Sequence, residues 1–213
     1  MLFCHSEPTR VGEESLPLSR TPTYTLPMTR FTFHPLTADR WPDFETLFRK
    51  NGACGGCWCM AWRLPSKEFK QKQGEPNRRA MKKIVASETP PGILAYDGKE
   101  PVGWIAVAPR EVFVRLAGSR ILAPPDDKPV WSVMCFFIRK DHRRQGVSVE
   151  LLNAAARFAK RNKAKILEGY PQELKNDLPA PFVWTGLASA FRRAGFEEAT
   201  RRSPSRPIMR LVL

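Results

Sequence analysis

Val130-Trp131-Ser132-Val133-Met134-Cys135-Phe136-Phe137-Ile138 runs without a break into Arg139-Lys140-Asp141-His142-Arg143-Arg144-Gln145-Gly146, and then into Val147-Ser148-Val149-Glu150-Leu151. The first block is almost wholly apolar, which predicts a strand covered on both faces and therefore central in its sheet. The second block is polar and basic and ends in glycine. In the third, Val147, Leu151, Ala154 and Phe158 recur at helical spacing and share one face. The unit reads as strand, basic glycine turn, helix. The first N–H groups of a helix have no carbonyl partner inside it, and the helix dipole puts partial positive charge behind them. A phosphate placed there gains several donors together. Each dipole contact is worth about 0.3–1 kcal/mol when exposed. Arg143 and Arg144 can add charge-assisted bonds, and Gly146, lacking a side chain, leaves room for the anion.

Outward from this unit the chain alternates between the two periods. Phe31 and Phe33 alternate with Thr32 and His34, predicting a first strand. Asp39 to Lys50 reads as a helix with Trp41, Phe44, Leu47 and Phe48 on one face and Pro42 in its first turn. Ser66 is placed to cap a short helix, and Pro76 to open another with Met81, Ile84 and Val85 inward. Gly92 to Tyr96 reads as a strand, Asp97-Gly98 as a hairpin turn and Pro101 to Pro109 as the return strand. Residues 110–129 read as a loop bordering an acceptor site. Ile166 to Tyr170 is the next strand; Thr185 is placed to cap a helix ending at Gly195; short strands near Phe196–Thr200 and Ile208–Leu213 close the chain. There is no internal repeat.

The motif Arg143, Gly146, Ser148 resembles the coenzyme A motif of the GNAT superfamily of N-acetyltransferases, which runs Arg or Gln, two residues, Gly, one residue, then Gly or Ala. Ser148 replaces the last small residue. The strand ending Phe137-Ile138-Arg139 and the amphipathic helix stand in the matching places. Phe191-Arg192-Arg193-Ala194-Gly195-Phe196 is similar to the family's aromatic-x-x-x-Gly-Phe segment. The element order extends the likeness from about Phe31 to the C-terminus. Cys54-Gly55-Gly56-Cys57-Trp58-Cys59 is similar to a segment of a little-characterised bacterial subgroup.

The resemblance implies an α/β acyl-CoA N-acyltransferase fold: a central, mostly antiparallel sheet with splayed middle strands and helices on both faces. It implies acetyl-CoA as cosubstrate and direct transfer of acetyl to a primary amine on a small molecule or peptide. By the same likeness Arg143, Arg144, Gln145, Gly146, Val147 and Ser148 hold the pyrophosphate, while Phe136, Phe137 and Ile138 pair with the pantetheine arm. A free N–H on the central strand then polarises the thioester carbonyl. Phe191 stands where family members often carry the tyrosine general acid. Glu168, on the strand beside the centre, is the candidate base, and Tyr170, at that strand's end, the candidate acid.

The bulk properties set the frame. A chain of 213 residues suits one domain. Residues 1–28, rich in Pro, Ser, Thr and Glu, read as a disordered extension and 29–213 as the domain; Met28 is a second candidate for the translation start. The N-terminus lacks the apolar centre of a secretory signal and no apolar run is long enough to span a bilayer, which predicts a cytoplasmic protein. A formal charge of +14 favours anionic partners without choosing among them. No nucleic-acid module is recognisable, so nucleic-acid binding is the secondary reading, beside a coenzyme A sensor without catalysis. Oligomeric state, including a homodimer, is open.

Cys54, Cys57 and Cys59 offer three soft ligands, one short of a structural zinc set, with no second pair at finger spacing. No metal is expected; the cysteines read instead as small buried residues near the acceptor channel, with Trp58 and Trp62 as its candidate aromatic lining. His142 reads as a solvated loop residue. Asp126, Asp127, Glu173 and Asp177 are the acidic residues available to draw a cationic amine.

Overall fold

The computed structural model describes residues 30–87, 89–173 and 183–213. The expected extension over 1–28, the alternative start at Met28, and Asp177 lie outside them. Strands β1 (Phe31–Pro35), β2 (Gly92–Asp97), β3 (Glu100–Pro109), β4 (Trp131–Ile138), β5 (Ile166–Gly169), β6 (Glu197–Arg201) and β7 (Pro207–Val212) form one sheet, in the order β1-β2-β3-β4-β5-β7-β6. Every neighbouring pair is antiparallel except β4 and β5. The apolar block is thus the middle strand of seven, as its composition predicts.

Helices α1 (Trp41–Phe48), α2 (Ser66–Gln71), α3 (Glu75–Val85), α4 (Val147–Arg161) and α5 (Ala188–Arg193) complete the layers. Strand alternation sorts the sheet's side chains between two cores. Ile93, Ile105, Val133 and Phe136 meet Val147, Leu151 and Phe158 of α4 and Phe191 of α5. On the other face Leu94, Trp104 and Ala106 meet Trp41, Phe44 and Phe48 of α1 and Met81 and Val85 of α3. The helical faces read from spacing are therefore the buried ones, Ile84 alone being only partly so.

Two expected caps are corrected. Ser66 is the first residue of α2, after Pro65, and makes no capping bond. Thr185 lies ahead of α5, whose N-cap is Leu187; the Thr185 hydroxyl instead accepts a hydrogen bond from Arg206 at 3.2 Å. Gly195 is left-handed (φ 84°), as its place after α5 demands.

The middle of the sheet opens. β4 pairs with β5 only through Trp131–Leu167, Ser132–Glu168 and Val133–Gly169. β5 ends there, whereas β4 continues to Ile138 against β3. The β3–β4 register shifts between Ala106 and Val107, leaving Met134 as the extra residue of a bulge. Bulges bend and twist a strand, and this one sits where β4 parts from β5.

Candidate active site

The turn between β4 and α4 is built to face its backbone outward. Arg144 (φ 61°) and Gly146 (φ 83°) are both left-handed and flank Gln145. Such alternation turns successive N–H groups to one side, making an anion-binding concavity. Among the described residues no acceptor engages the amides of Arg144, Gln145, Gly146, Val147 or Ser148. A Cβ added at Gly146 would meet nothing within 4 Å, so space lies in front of it. The turn is braced from behind. Gln145 Nε2 donates to the Asp141 carbonyl (2.8 Å), Arg143 Nε to that of Ile138 (3.1 Å), and Arg139 Nη2 to Asp141 Oδ2 (2.6 Å). Arg139 holds the Asp141 carboxyl well below its ordinary range. His142, expected in solvent, is buried and packs beside Phe31, with Nε2 3.3 Å from Asp97 Oδ2.

The turn opens onto a cavity of about 1130 Å³ that runs along β4 to the cysteine segment. Phe136, Phe137, Ile138, Arg143, Arg144, Gly146, Val147 and Ser148 all line it; Gln145, whose side chain braces the turn, does not. Across the gap left by β5, the Phe136 N–H donates to the Trp184 carbonyl at 2.7 Å. The Phe136 amide, one of the central-strand N–H groups that face the gap, is thus engaged by the chain itself. The Trp184 ring lies beside that of Trp62, with centroids 5.8 Å apart and planes tilted by 39°. Phe113 and Arg115, from the loop over 110–129, line the same cavity.

The acetyltransferase (GNAT) family profile matches residues 58–176, more than half of the chain. The chain belongs to the acetyltransferase (GNAT) family. As a member it is an acetyl-CoA-dependent N-acetyltransferase acting on an amine acceptor. Solved structures carry the same fold at low identity. An agmatine N-acetyltransferase is 8% identical, with a TM-score of 0.55 over 87% of this chain and 100% of that one. A polyamine N-acetyltransferase of Drosophila melanogaster, which forms N-acetylagmatine, is 7% identical, with a TM-score of 0.53 over 86% and 100%. The PaiA N-acetyltransferase of Thermoplasma acidophilum, in complex with coenzyme A, is 11% identical, with a TM-score of 0.50 over 86% and 99%. No curated protein matches the sequence. No helix among the described residues is long and apolar enough to cross a membrane.

In this GNAT chain the two sequence candidates for proton transfer sit together, apart from the cavity lining. Glu168 is fully buried: Oε1 accepts from Arg110 Nη1 (2.7 Å) and the Tyr170 hydroxyl (2.5 Å), and Oε2 from Arg210 Nε (2.7 Å). Tyr170 also meets Arg110 and Ser132 Oγ, the latter at 2.9 Å. Burial, then the charge of Glu168, raises the Tyr170 phenol well above its ordinary range. Phe191 is fully buried against Gly169 and Phe136.

The cysteines divide by exposure. Cys54 is exposed, Cys57 half-buried and Cys59 buried; these three and Cys135 line the cavity. Trp104 Nε1–H donates to Cys59 Sγ at 3.1 Å. A hydrogen bond from Cys135, aided by Trp104 and the charge of Arg63 and opposed by burial, holds Cys59 below the ordinary thiol range; the same bond and burial push Cys135 up. Trp62 lines the cavity as expected, whereas Trp58 is buried between Trp41 and Phe48. Sequence reasoning did not single out Phe113 and Arg115, which sit in the irregular segment after β3 with no periodic signal to expose them, or Arg193, the last residue of α5, as lining residues.

Proposed function

We propose that this chain, as a cytoplasmic enzyme with residues 29–213 as its catalytic domain, moves the acetyl group of acetyl-CoA directly to a primary amine. The pyrophosphate rests on the amides of Arg144 to Ser148, with Arg143 and Arg144 as counter-charges. The pantetheine arm lies along Phe136 to Ile138 in the gap beyond β5. The unengaged amides at the head of α4, opening onto the cavity that follows β4, carry this reading. Acetyl-CoA supplies the activated acyl group; the protein supplies position and polarity. The Phe136 N–H, released when the Trp184 carbonyl gives way, points into that gap and is the donor for the developing oxyanion. One such donor is worth about 2.7–4 kcal/mol.

An alkyl ammonium with a pKa near ~10.4 must lose a proton before attack. Glu168 and Tyr170 are held by Arg110, Arg210 and Ser132, so we assign them to bracing β5 against its neighbours. Water in the cavity takes that proton; the amine nitrogen bonds the acetyl carbon, the C–S bond breaks, and the leaving coenzyme A thiolate is protonated from water. The Cys54-Gly55-Gly56-Cys57-Trp58-Cys59 segment, which forms the far wall, marks the subgroup to which we assign the chain. Calorimetry with acetyl-CoA, followed by free-thiol release in the presence of amines, tests the reading. Saturable binding and amine-dependent thiol release are expected; absence of binding ends it.

A further inference from the structure

The acceptor end of the cavity carries a charge that points to the acceptor's chemistry. From the middle of β4, moving away from the phosphate turn, one meets Trp184 on the Phe136 amide, then Trp62 against Trp184, then Arg115, whose guanidinium carbon lies 5.2 Å from the Trp62 ring centre. Arg115 Nη1 donates to the Ala61 carbonyl at 2.7 Å. No carboxylate among the described residues pairs with it. A guanidinium offers five N–H donors in a planar fork, so most of this fork is unspent in the wall of an open cavity. Arg63 lies beyond, buried over the Phe113 ring (5.0 Å), with one bond to the Pro91 carbonyl and its Nε unpartnered.

Of the acidic residues that the sequence offered to a cationic acceptor, the three among the described residues stand elsewhere. Asp126 is paired with Arg210, Glu173 with Arg192 and Arg201, and Asp127 is exposed; none of the three lines the cavity. Among the described lining residues the charges are arginines, with no Asp or Glu. A second ammonium on the acceptor would meet like charge. A carboxylate would meet a preorganised bidentate partner, and an aromatic body would meet Trp62, Trp184 and Phe113.

We propose that the acceptor is a primary amine borne on an aromatic body that also carries a carboxylate, with Arg115 holding the carboxylate and Trp62 and Phe113 the ring. This rests on the acetyltransferase reading above. The test compares phenylalanine, 4-aminobenzoate, phenethylamine and spermidine in thiol-release assays, with acetyl-CoA affinity measured separately by calorimetry. One or both carboxylated aromatic amines should be acetylated, phenethylamine should have a kcat/KM at least about tenfold lower, and spermidine should be inert. The tenfold figure is the lower end for a lost hydrogen bond to a charged group. Arg115→Met should raise KM for the carboxylated acceptor by about tenfold or more, a larger rise than for phenethylamine, while the variant still binds acetyl-CoA and melts as a folded protein. Arg115→Lys, which keeps the charge and loses the fork, should fall between. Preference for spermidine, failure of both carboxylated amines while acetyl-CoA binds, or equal loss for all amines in Arg115→Met would overturn the acceptor assignment alone. Failure of acetyl-CoA itself to bind would instead remove the function on which it rests.

Discussion

At the scale of single residues, glycines decide what the turn and the splay can do. Gly146 is left-handed with open space before it, so alanine there meets strain but no clash. Gly146→Ala should cost about 1–2 kcal/mol in denaturant unfolding, the penalty of a left-handed non-glycine residue, and should weaken acetyl-CoA binding, because the added methyl enters the space left for the anion. Gly146→Glu adds a carboxylate where the pyrophosphate belongs. Calorimetry should find no acetyl-CoA binding in a variant that still melts cooperatively; retained affinity would contradict the cradle. Gly169 differs, because an added Cβ would stand 2.1 Å from Phe191 Cε1. Gly169→Ala should cost about 1–3 kcal/mol from overpacking, part of it recovered in the double variant with Phe191→Leu. Gly146 was legible in the sequence because its neighbours announced a strand before it and a helix after it. Gly169 was not, because the ring that fills its missing side chain comes from α5, an element apart in the chain.

At the scale of elements, the strands and helices were legible to within a few residues at their ends, since each carries its own period of burial. β4 is Trp131–Ile138 within an apolar block read as Val130 to Ile138, and α4 begins at Val147, straight after the glycine. What escaped the sequence is how elements are tied to one another. Glu168 read as an available carboxylate, yet its charge is answered by Arg110 and Arg210, 58 and 42 positions away. Periodicity cannot report such pairs, because they form only when β5 lies between β4 and β7. Arg110→Met leaves Glu168 paired with Arg210 and should lose about 1.5–3 kcal/mol in denaturant unfolding, the worth of a hydrogen bond to a charged group. Tyr170→Phe removes a hydroxyl bonded to a carboxylate and should cost about 1.5–3 kcal/mol, with kcat unchanged when the folded protein is assayed. A large fall in kcat with stability intact would return Tyr170 to the role of general acid. The Phe136–Trp184 bond is the other tie between elements that the sequence did not disclose: it closes the gap that the resemblance leaves free.

At the scale of the whole molecule, the formal charge of +14 is organised by arginine. Arg30 holds Asp97 below the ordinary carboxylate range, Arg210 holds Asp126, Arg139 holds Asp141, Arg192 holds Glu173 and Arg201 holds Glu198. Glu150 is shifted the other way by burial. The pairs are exposed or nearly so, and each contributes little alone, but five of one sign outweigh one of the other. A carboxyl whose folded pKa lies below its unfolded value of about 4 stabilises the fold above that value and loses the contribution as pH falls through the folded value. Over that window the unfolded chain binds more protons than the native one, so stability must fall with pH. Each proton taken up also adds to an existing positive excess, and self-repulsion compounds the loss. The melting temperature should therefore decline continuously below about pH 5, more steeply at low salt, where repulsion is least screened. Melts at constant ionic strength from pH 7 to pH 3 would show this, and equal melting temperatures at the two ends would mean that the arginine pairs do not survive in solution.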